Sequence, residues 1–558
     1  MKTRNKKIMS AVLAFAMSLS IIVSGCGAGD ETKETQTSQS QTKGTEVSTT
    51  AAVDEAHKNW VSDETITISF MTSEGSSQTI PLDSVSRQEL LEKTNVKLDI
   101  QTAPAASYKE KMNISLGTNN FADIIYLEGG ITTVTQYATE GVLQPLMQYV
   151  NEETMPNFYK FWSENPELKK YLVEGELYCF PALGRGETAN GFGAVIRTDL
   201  LEKHNIPVPT TFEELLTALT KLKEIYPDST PWIGRKGTLQ LLATTSYMLG
   251  SGFGSRSNPM YWDADEGKYI FGPADENFKA VLDYLNRAYE AGVLDPEFAT
   301  QSQETMEAKL QSGQSFFYLD NSGFGQNYTK ILQQVEGQED GMLQILPTLE
   351  NSFGDRRAVS YAEFYLGRFY GINAGCKNMD ELIQFIDFLY SEEGSNITNY
   401  GKEGYSYELD ENGEPQFIQS YLEQFKDAKP SPYYAVYSDL GVGKLDLSLW
   451  ACNTETQFKI QKALGDFSAD VEEYWDIIAN DDAYVEPHIE PAFTTDEAEE
   501  IADILTDVTT YLETQYNDYI MGVRDVAEWD SVIAELESRN IRRLEEIYNA
   551  AEARAAGN

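Results

Sequence analysis

Histidine and cysteine are scarce in this chain of 558 residues, with three of the first and four of the second. His57, His204 and His488 stand far apart, so there is no H-E-x-x-H helix and no clustered source for a triad or a histidine metal site. Cys26, Cys179, Cys376 and Cys452 contain no CxxC pair, which excludes zinc-ribbon and thioredoxin-like chemistry. The last three fall in apolar segments and are expected as small core residues, with one disulfide among them left open. A G-x-S-x-G elbow, a Walker P-loop and a G-x-G-x-x-G fingerprint are also missing. Positive charge is the other deficit: 43 Lys and Arg face 88 Asp and Glu, for a net charge of −45. Such a surface repels phosphate backbones, which argues against nucleic acid as a partner. It also disfavours a polyanionic ligand, unless a local basic pocket overrides the field.

Hydrophobic content of 41% is ordinary for a soluble globular chain, and the length favours more than one domain. Residues 1–25 have the form of an export signal: Lys2, Arg4, Lys6 and Lys7, then the apolar run Ile8–Val23, too short for a comfortable membrane span. The run ends in Val23-Ser24-Gly25-Cys26, which resembles a lipobox, with valine where leucine is commoner. That resemblance implies a lipidated Cys26. From Gly27 to about Lys58 the chain is rich in Thr, Ser, Gln, Lys and Glu, without apolar periodicity, and is expected to be a flexible tether over 26–59.

From Trp60 onward strands and helices alternate: strand Thr65–Phe70, helix Asp83–Thr94, strand Val96–Ile100, helix Tyr108–Leu116, strand Ala122–Leu127. Alternation of this kind predicts a mainly parallel sheet with ligand loops at the carboxyl ends of its strands. The stretch Gly175–Pro227 organises the rest. It holds two short strands, Leu177–Pro181 and Gly193–Arg197, joined through Gly184, Gly186 and Gly191. Thr211 sits three residues before Glu214, the spacing of a capping box, and Leu215, Leu219, Leu222 and Tyr226 follow at helical spacing. Downstream, Tyr261–Phe271 predicts a hairpin and Asn277–Ala291 an amphipathic helix. Ser315–Leu319 and Leu366–Ala374 predict strands, and Asn378 with Glu381 predicts a cap. The last 110 residues read as helical. Asp263 and Asp265 break the spacing of a calcium loop and read as turn chemistry.

Tyr178, Phe180-Pro181, Val195-Ile196-Arg197-Thr198-Asp199-Leu200-Leu201 and Pro209-Thr210-Thr211-Phe212-Glu213-Glu214-Leu215, in that order, resemble the inter-lobe crossing of extracellular solute-binding proteins that serve ABC importers, the carbohydrate-binding kind. Gly292–Phe298, Asn399–Tyr407 and the closing segment with Gly522, Trp529 and Leu544–Tyr548 extend the resemblance over nearly the whole chain. It implies an α/β fold of the two-lobed periplasmic-binding-protein type (type II), with hinge-connected lobes and a helical C-terminal part. Lobe 1 is expected from 60–188 and 368–430, lobe 2 from 189–367 and 431–558. Crossings are expected near Gly184–Gly193, Tyr365–Phe369 and Lys429–Tyr437.

Function follows from the same reading. The chain carries 32 Tyr, 25 Phe and 7 Trp, and sugar rings stack their C–H faces on aromatic planes while their hydroxyls take polar partners. Candidate ligand contacts are those beside Gly or polar residues at expected strand ends. These are Glu74, Tyr126 and Glu128 in the first lobe, and Arg185, Glu187 and Phe192 at the crossing. In the second lobe they are Trp232, Arg235, Asp320, Tyr361, Glu363 and Tyr365, with Tyr434 and Trp450 further on. The expectation is a lipid-anchored protein on the outer face of a bacterial membrane that binds a neutral oligosaccharide and delivers it to permease subunits, with no cofactor, metal or catalytic residue. The alternatives are a tethered glycoside hydrolase, or a binding protein for peptides or uronates on the same fold.

Overall fold

Two hydrophobic cores, each built on its own sheet, account for most of the buried residues in the computed structural model. It describes residues 58–75, 80–138, 140–185, 191–255, 258–360, 364–429, 431–442, 446–464 and 470–557. Cys26, the tether through residue 57, Glu187, Tyr361 and Glu363 lie outside the described residues.

The strands in chain order are β1 (Ile66–Glu74), β2 (Val96–Pro104), β3 (Ile124–Leu127), β4 (Cys179–Gly184), β5 (Phe192–Arg197), β6 (Met260–Asp263), β7 (Lys268–Phe271), β8 (Phe317–Asn321), β9 (Leu343–Ile345), β10 (Ala358–Val359), β11 (Tyr365–Ile372), β12 (Tyr407–Leu409), β13 (Pro415–Phe417), β14 (Trp450–Ala451) and β15 (Tyr484–Val485). The first sheet has six strands in the order β14-β4-β11-β3-β1-β2. All its pairings are parallel except those of β11, which runs antiparallel to β3 and β4. Ile68, Phe70, Leu98, Ile124 and Ile125 are almost wholly buried in it, as expected of strands covered on both faces. The second sheet, β8-β5-β9, departs from the parallel expectation, since its central strand β5 is antiparallel to both neighbours. Trp232 continues it through parallel bridges to Phe317 and Leu294.

Helices cover both sheets. In Phe212–Ile225, Leu215, Leu219 and Leu222 are fully buried, and the Thr211 hydroxyl accepts the Glu214 N–H at 3.1 Å. The return bond of the expected capping box is replaced: the Glu214 carboxylate takes the Thr210 N–H and hydroxyl, both at 2.8 Å. A complete box begins the helix Thr495–Ile520 instead, where Thr494 and Glu497 cap each other. Asn378 precedes the helix Met379–Leu389, but its side chain makes no cap bond. None of the three downstream cysteines forms a disulfide with another, with Cys179 and Cys452 buried and Cys376 half-buried.

Two expected boundaries move. The segment after 431 is expected in the second lobe. Yet helix Pro432–Leu440 packs Tyr433, Val436 and Leu440 with Tyr421, Leu422 and Ile460 in a satellite core against Val85, and β14 joins the first sheet. An apolar partner ten residues upstream is met before any distant one. The chain reaches the second lobe again in helix Asp470–Asn480, whose Ile478 packs with Tyr318 and Leu343. The crossing expected near Lys429–Tyr437 thus falls later, between β14 and this helix, and β15 with the segment after it then runs along the seam. Three chain segments now lie side by side where the sheets meet. Gly191, after β4, bridges Ser360; the Ser360 N–H donates to the Val485 carbonyl at 2.9 Å; and β10 runs parallel to β15. Ala492, at the end of the third segment, is in the first core and Phe493 in the second.

Gly191 is required by this seam. A Cβ there would stand 2.7 Å from Tyr484 Cε1 and 2.8 Å from the Val359 carbonyl. Gly191→Ala should therefore lower stability by about 1–3 kcal/mol in urea unfolding, as overpacking does. An unchanged midpoint would show that the three segments do not depend on this contact.

Candidate ligand-binding site

β4 ends and β5 begins on either side of the first crossing, so the carboxyl edge of the first sheet and the Phe192–Asn321 edge of the second flank the same three segments. Most candidate residues stand on those two edges.

On the first edge an aromatic wall forms around β14 and the start of β11. Trp450 packs edge-on against Phe161 with centroids 5.1 Å apart, Phe161 lies 6.1 Å from Phe364, and Phe364 meets Tyr365 at 4.8 Å. All four are half-buried and keep part of their surface open. The Arg185 guanidinium lies over the Trp450 ring at 4.8 Å and donates to Asn396 Oδ1 at 2.7 Å and Ser395 Oγ at 3.3 Å. Its partners are neutral, and among the described residues no carboxylate pairs with it. Ser395 and Asn399 in turn hold the Trp450 carbonyl at 2.6 and 2.9 Å. A polar helix face thus fixes both the ring and the cation above it. Such stacking contributes roughly 0.5–2 kcal/mol, depending on exposure.

Further along this edge, Tyr126 stacks on Tyr108 at 5.8 Å and tilts against Tyr370 at 5.9 Å. Burial raises its phenol pKa, and the Arg368 charge opposes that shift. Glu128 follows at the end of β3 and is half-buried. Glu74 is committed to its own loop: its carboxylate accepts the Ile80 N–H at 2.6 Å and the Thr102 hydroxyl at 3.0 Å.

On the second edge, Arg235 grips Asp320 with two bonds, of 2.9 and 2.7 Å, and lies 5.1 Å from the Phe324 ring centroid. Asp320 is 4% exposed, so this pair is an almost desolvated, mutually neutralised unit. Phe192 is half-buried against the second core. Tyr434, on helix Pro432–Leu440, packs on Tyr433 at 5.2 Å, and its phenol is raised first by burial and then by the Glu307 charge of the second lobe. Lys429, ahead of that helix, reaches Gln334 of the second lobe at 3.3 Å, and Gln461 on the next helix reaches Asn327 at 2.9 Å.

Trp232 is a correction. It is 1% exposed and packed edge-on against Phe317 at 5.3 Å, with Tyr284 at 6.2 Å. Its ring fills the core because residue 232 continues the sheet beside β8, so neither face is open to a ligand. Sequence reasoning also missed Phe161, Phe364, Phe324 and the Ser395–Asn396–Asn399 face. The last did leave a signal, since Ser and Asn occupy positions of helix Glu392–Tyr400 that are buried throughout.

Residues 76–396 match the bacterial extracellular solute-binding protein family. Among curated relatives, the lipoprotein LipO of Bacillus subtilis (strain 168) is 22% identical over 344 residues, 59% of this chain and 65% of that protein. The polygalacturonan/rhamnogalacturonan-binding protein YtcQ of the same strain is 23% identical over 328 residues, 57% of this chain and 63% of that protein. The matches thus span under two thirds of either relative. Among solved structures, the alginate-binding protein AlgQ2 without calcium ion superposes with a TM-score of 0.72 at 22% identity, covering 89% of this chain and 99% of that one. At that identity the likeness establishes the two-lobed α/β fold.

The Arg235–Asp320 pair yields a direct test of its role. Asp320→Ala removes both bonds of the carboxylate to a buried guanidinium and should cost about 3–5 kcal/mol in denaturant unfolding. The double variant Arg235→Met, Asp320→Leu should recover most of that loss. Equal stability of the single and double variants would show that the pair is not desolvated.

Proposed function

The chain belongs to the bacterial extracellular solute-binding protein family, and on that premise we propose that it captures a neutral oligosaccharide between its lobes and delivers it to the permease subunits of an ABC importer. The observation that carries this reading is the pair of facing edges: an open aromatic wall with a stacked arginine on one, and a fixed ion pair beside Phe324 on the other. Aromatic faces take the apolar side of a sugar ring, each contributing on the order of 1 kcal/mol beyond area burial. Polar groups held in place beforehand take its hydroxyls. A ligand touching both edges stabilises the closed arrangement by its differential affinity for it.

A uronate-containing oligosaccharide is the second reading, and the name of the relative YtcQ favours it. Against it stand the net charge of −45 and the neutralisation of Arg235 by Asp320. For the membrane, Cys26 after Val23-Ser24-Gly25 carries the lipid, and the tether holds the folded part at the outer face; LipO is a lipoprotein by name. The protein binds without turnover.

In a thermal-shift panel of neutral and uronate oligosaccharides, the right ligand at a hundredfold excess over Kd should stabilise by about 2.7 kcal/mol. In a chain this long that is a Tm rise of about 2 °C. Trp450→Ala should weaken that ligand at least tenfold with the fold intact. Full affinity in the variant removes the aromatic wall from the site, a uronate hit alone overturns the neutral reading, and shortened products refute binding without turnover.

Cys26→Ala should release the protein into the medium or leave it unprocessed. Membrane fractionation equal to the wild type would contradict the anchor.

A further inference from the structure

The third hinge segment, from Val485 to Phe493, carries more ionisable chemistry than a connection needs, and it touches both lobes. Its His488 ring stacks on Trp262 of β6 at 3.9 Å and 8°. Its half-buried Glu490 accepts the hydroxyl of Thr132, on helix Ile131–Ala138 of the first lobe, at 3.3 Å. The backbone is tied down as well, with Ala492 N–H donating to the Lys170 carbonyl at 2.7 Å.

A charge cluster closes around it. Lys170 of the first lobe bonds Glu552, on the last helix Ile541–Ala555, at 2.9 Å, and pairs with Glu167 at 3.1 Å. His488 Nε2 lies 3.4 Å from Lys170 Nζ and 3.2 Å from Glu552. The groups facing Glu490 from the second lobe are the phenols of Tyr269 and Tyr548, whose titration its charge disfavours. Among the described residues no cation contacts the Glu490 carboxyl, because Lys170 is already held by Glu552 and Glu167.

We propose that this segment is a proton-operated brace of the hinge: it is seated between the lobes while Glu490 holds its proton, and it lifts from helix Ile131–Ala138 when that proton leaves.

The physical reason is asymmetry of solvation. A protonated carboxyl beside Thr132 and two phenols needs no countercharge, whereas a carboxylate there has one hydroxyl donor and no cation. Burial accordingly pushes Glu490 up to about 7. A raised acid contributes to the seated state fully below its free value, and that contribution is lost as pH rises through about 7. His488 acts with the opposite sign: burial lowers it, so the seated state requires it neutral and weakens as pH falls through its depressed value. The brace therefore has a window, bounded by His488 on the acid side and Glu490 on the alkaline side.

The test is Tm from pH 5.5 to 8.5 on the full chain without ligand, together with hydrogen exchange of residues 486–492 and 131–138. Asp446, fully buried on Ser84, is also raised to about 7, so the quantity to read is the difference between wild type and Glu490→Gln. The wild type should lose stability relative to the variant as pH rises from 5.5 to about 7 and hold level above it, and exchange in both segments should rise about tenfold between pH 6 and 8.5 after correction for intrinsic rates. Thr132→Val removes the one bond that favours the carboxylate, so it should move the wild-type transition to higher pH, which a merely structural contact would not do. Parallel profiles for wild type and Glu490→Gln overturn the proposal. If Glu490→Gln does not fold, an unshifted transition in Thr132→Val overturns it equally.

Discussion

The rest of the molecule depends on the seam where Gly191, Ser360 and Val485 lie side by side. Two sheets, each with its own core, are joined there by backbone bonds between short segments rather than by a continuous strand. One bridge runs from Gly191 to Ser360 and another from Ser360 to Val485. Bonds of this kind run across the chain direction, so they resist sliding of one lobe past the other while permitting bending about the line of the seam. That constraint sets which edges face each other. It also explains why residue 191 carries no side chain, because Tyr484 and Val359 occupy the space one would need.

Charge is managed locally in a strongly acidic chain. Arg235 is held by Asp320, Arg197 by Asp199 at 2.6 Å and Lys170 by Glu552, so most of the buried positive charge described here does structural work. Arg185 differs, being held by amide, hydroxyl and indole. A cation oriented by neutral groups keeps donors for a polar ligand without adding a carboxylate that would compete for them. The aromatic wall beside it supplies area at low conformational cost. The two together have the mixed character that sugar recognition needs.

Much of the fold was legible because it rests on local signals. The apolar face Leu215, Leu219, Leu222 gave its helix, Tyr261–Phe271 gave its hairpin, and the Gly-rich link after Leu183 gave the first crossing. What failed depends on distance. Trp232 looks like a cleft aromatic because it sits beside Gly234 and Arg235, yet one residue of register places its ring in the core. Asp320 and Arg235 were both named from their neighbours, but their partnership spans 85 positions and left no local trace. The third segment at the seam, β15 and the residues after it, left no local sign either. Its route through His488 and Glu490 has neither periodicity nor glycine, and is fixed only by contacts with Lys170, Thr132 and Trp262.

The central claim is that a solute bound between the lobes closes the hinge. Small-angle scattering compares the free protein with the protein saturated by the oligosaccharide that raises its Tm most. The account predicts a smaller radius of gyration and a shorter maximum dimension on saturation. A tight ligand that leaves the scattering profile unchanged would contradict it.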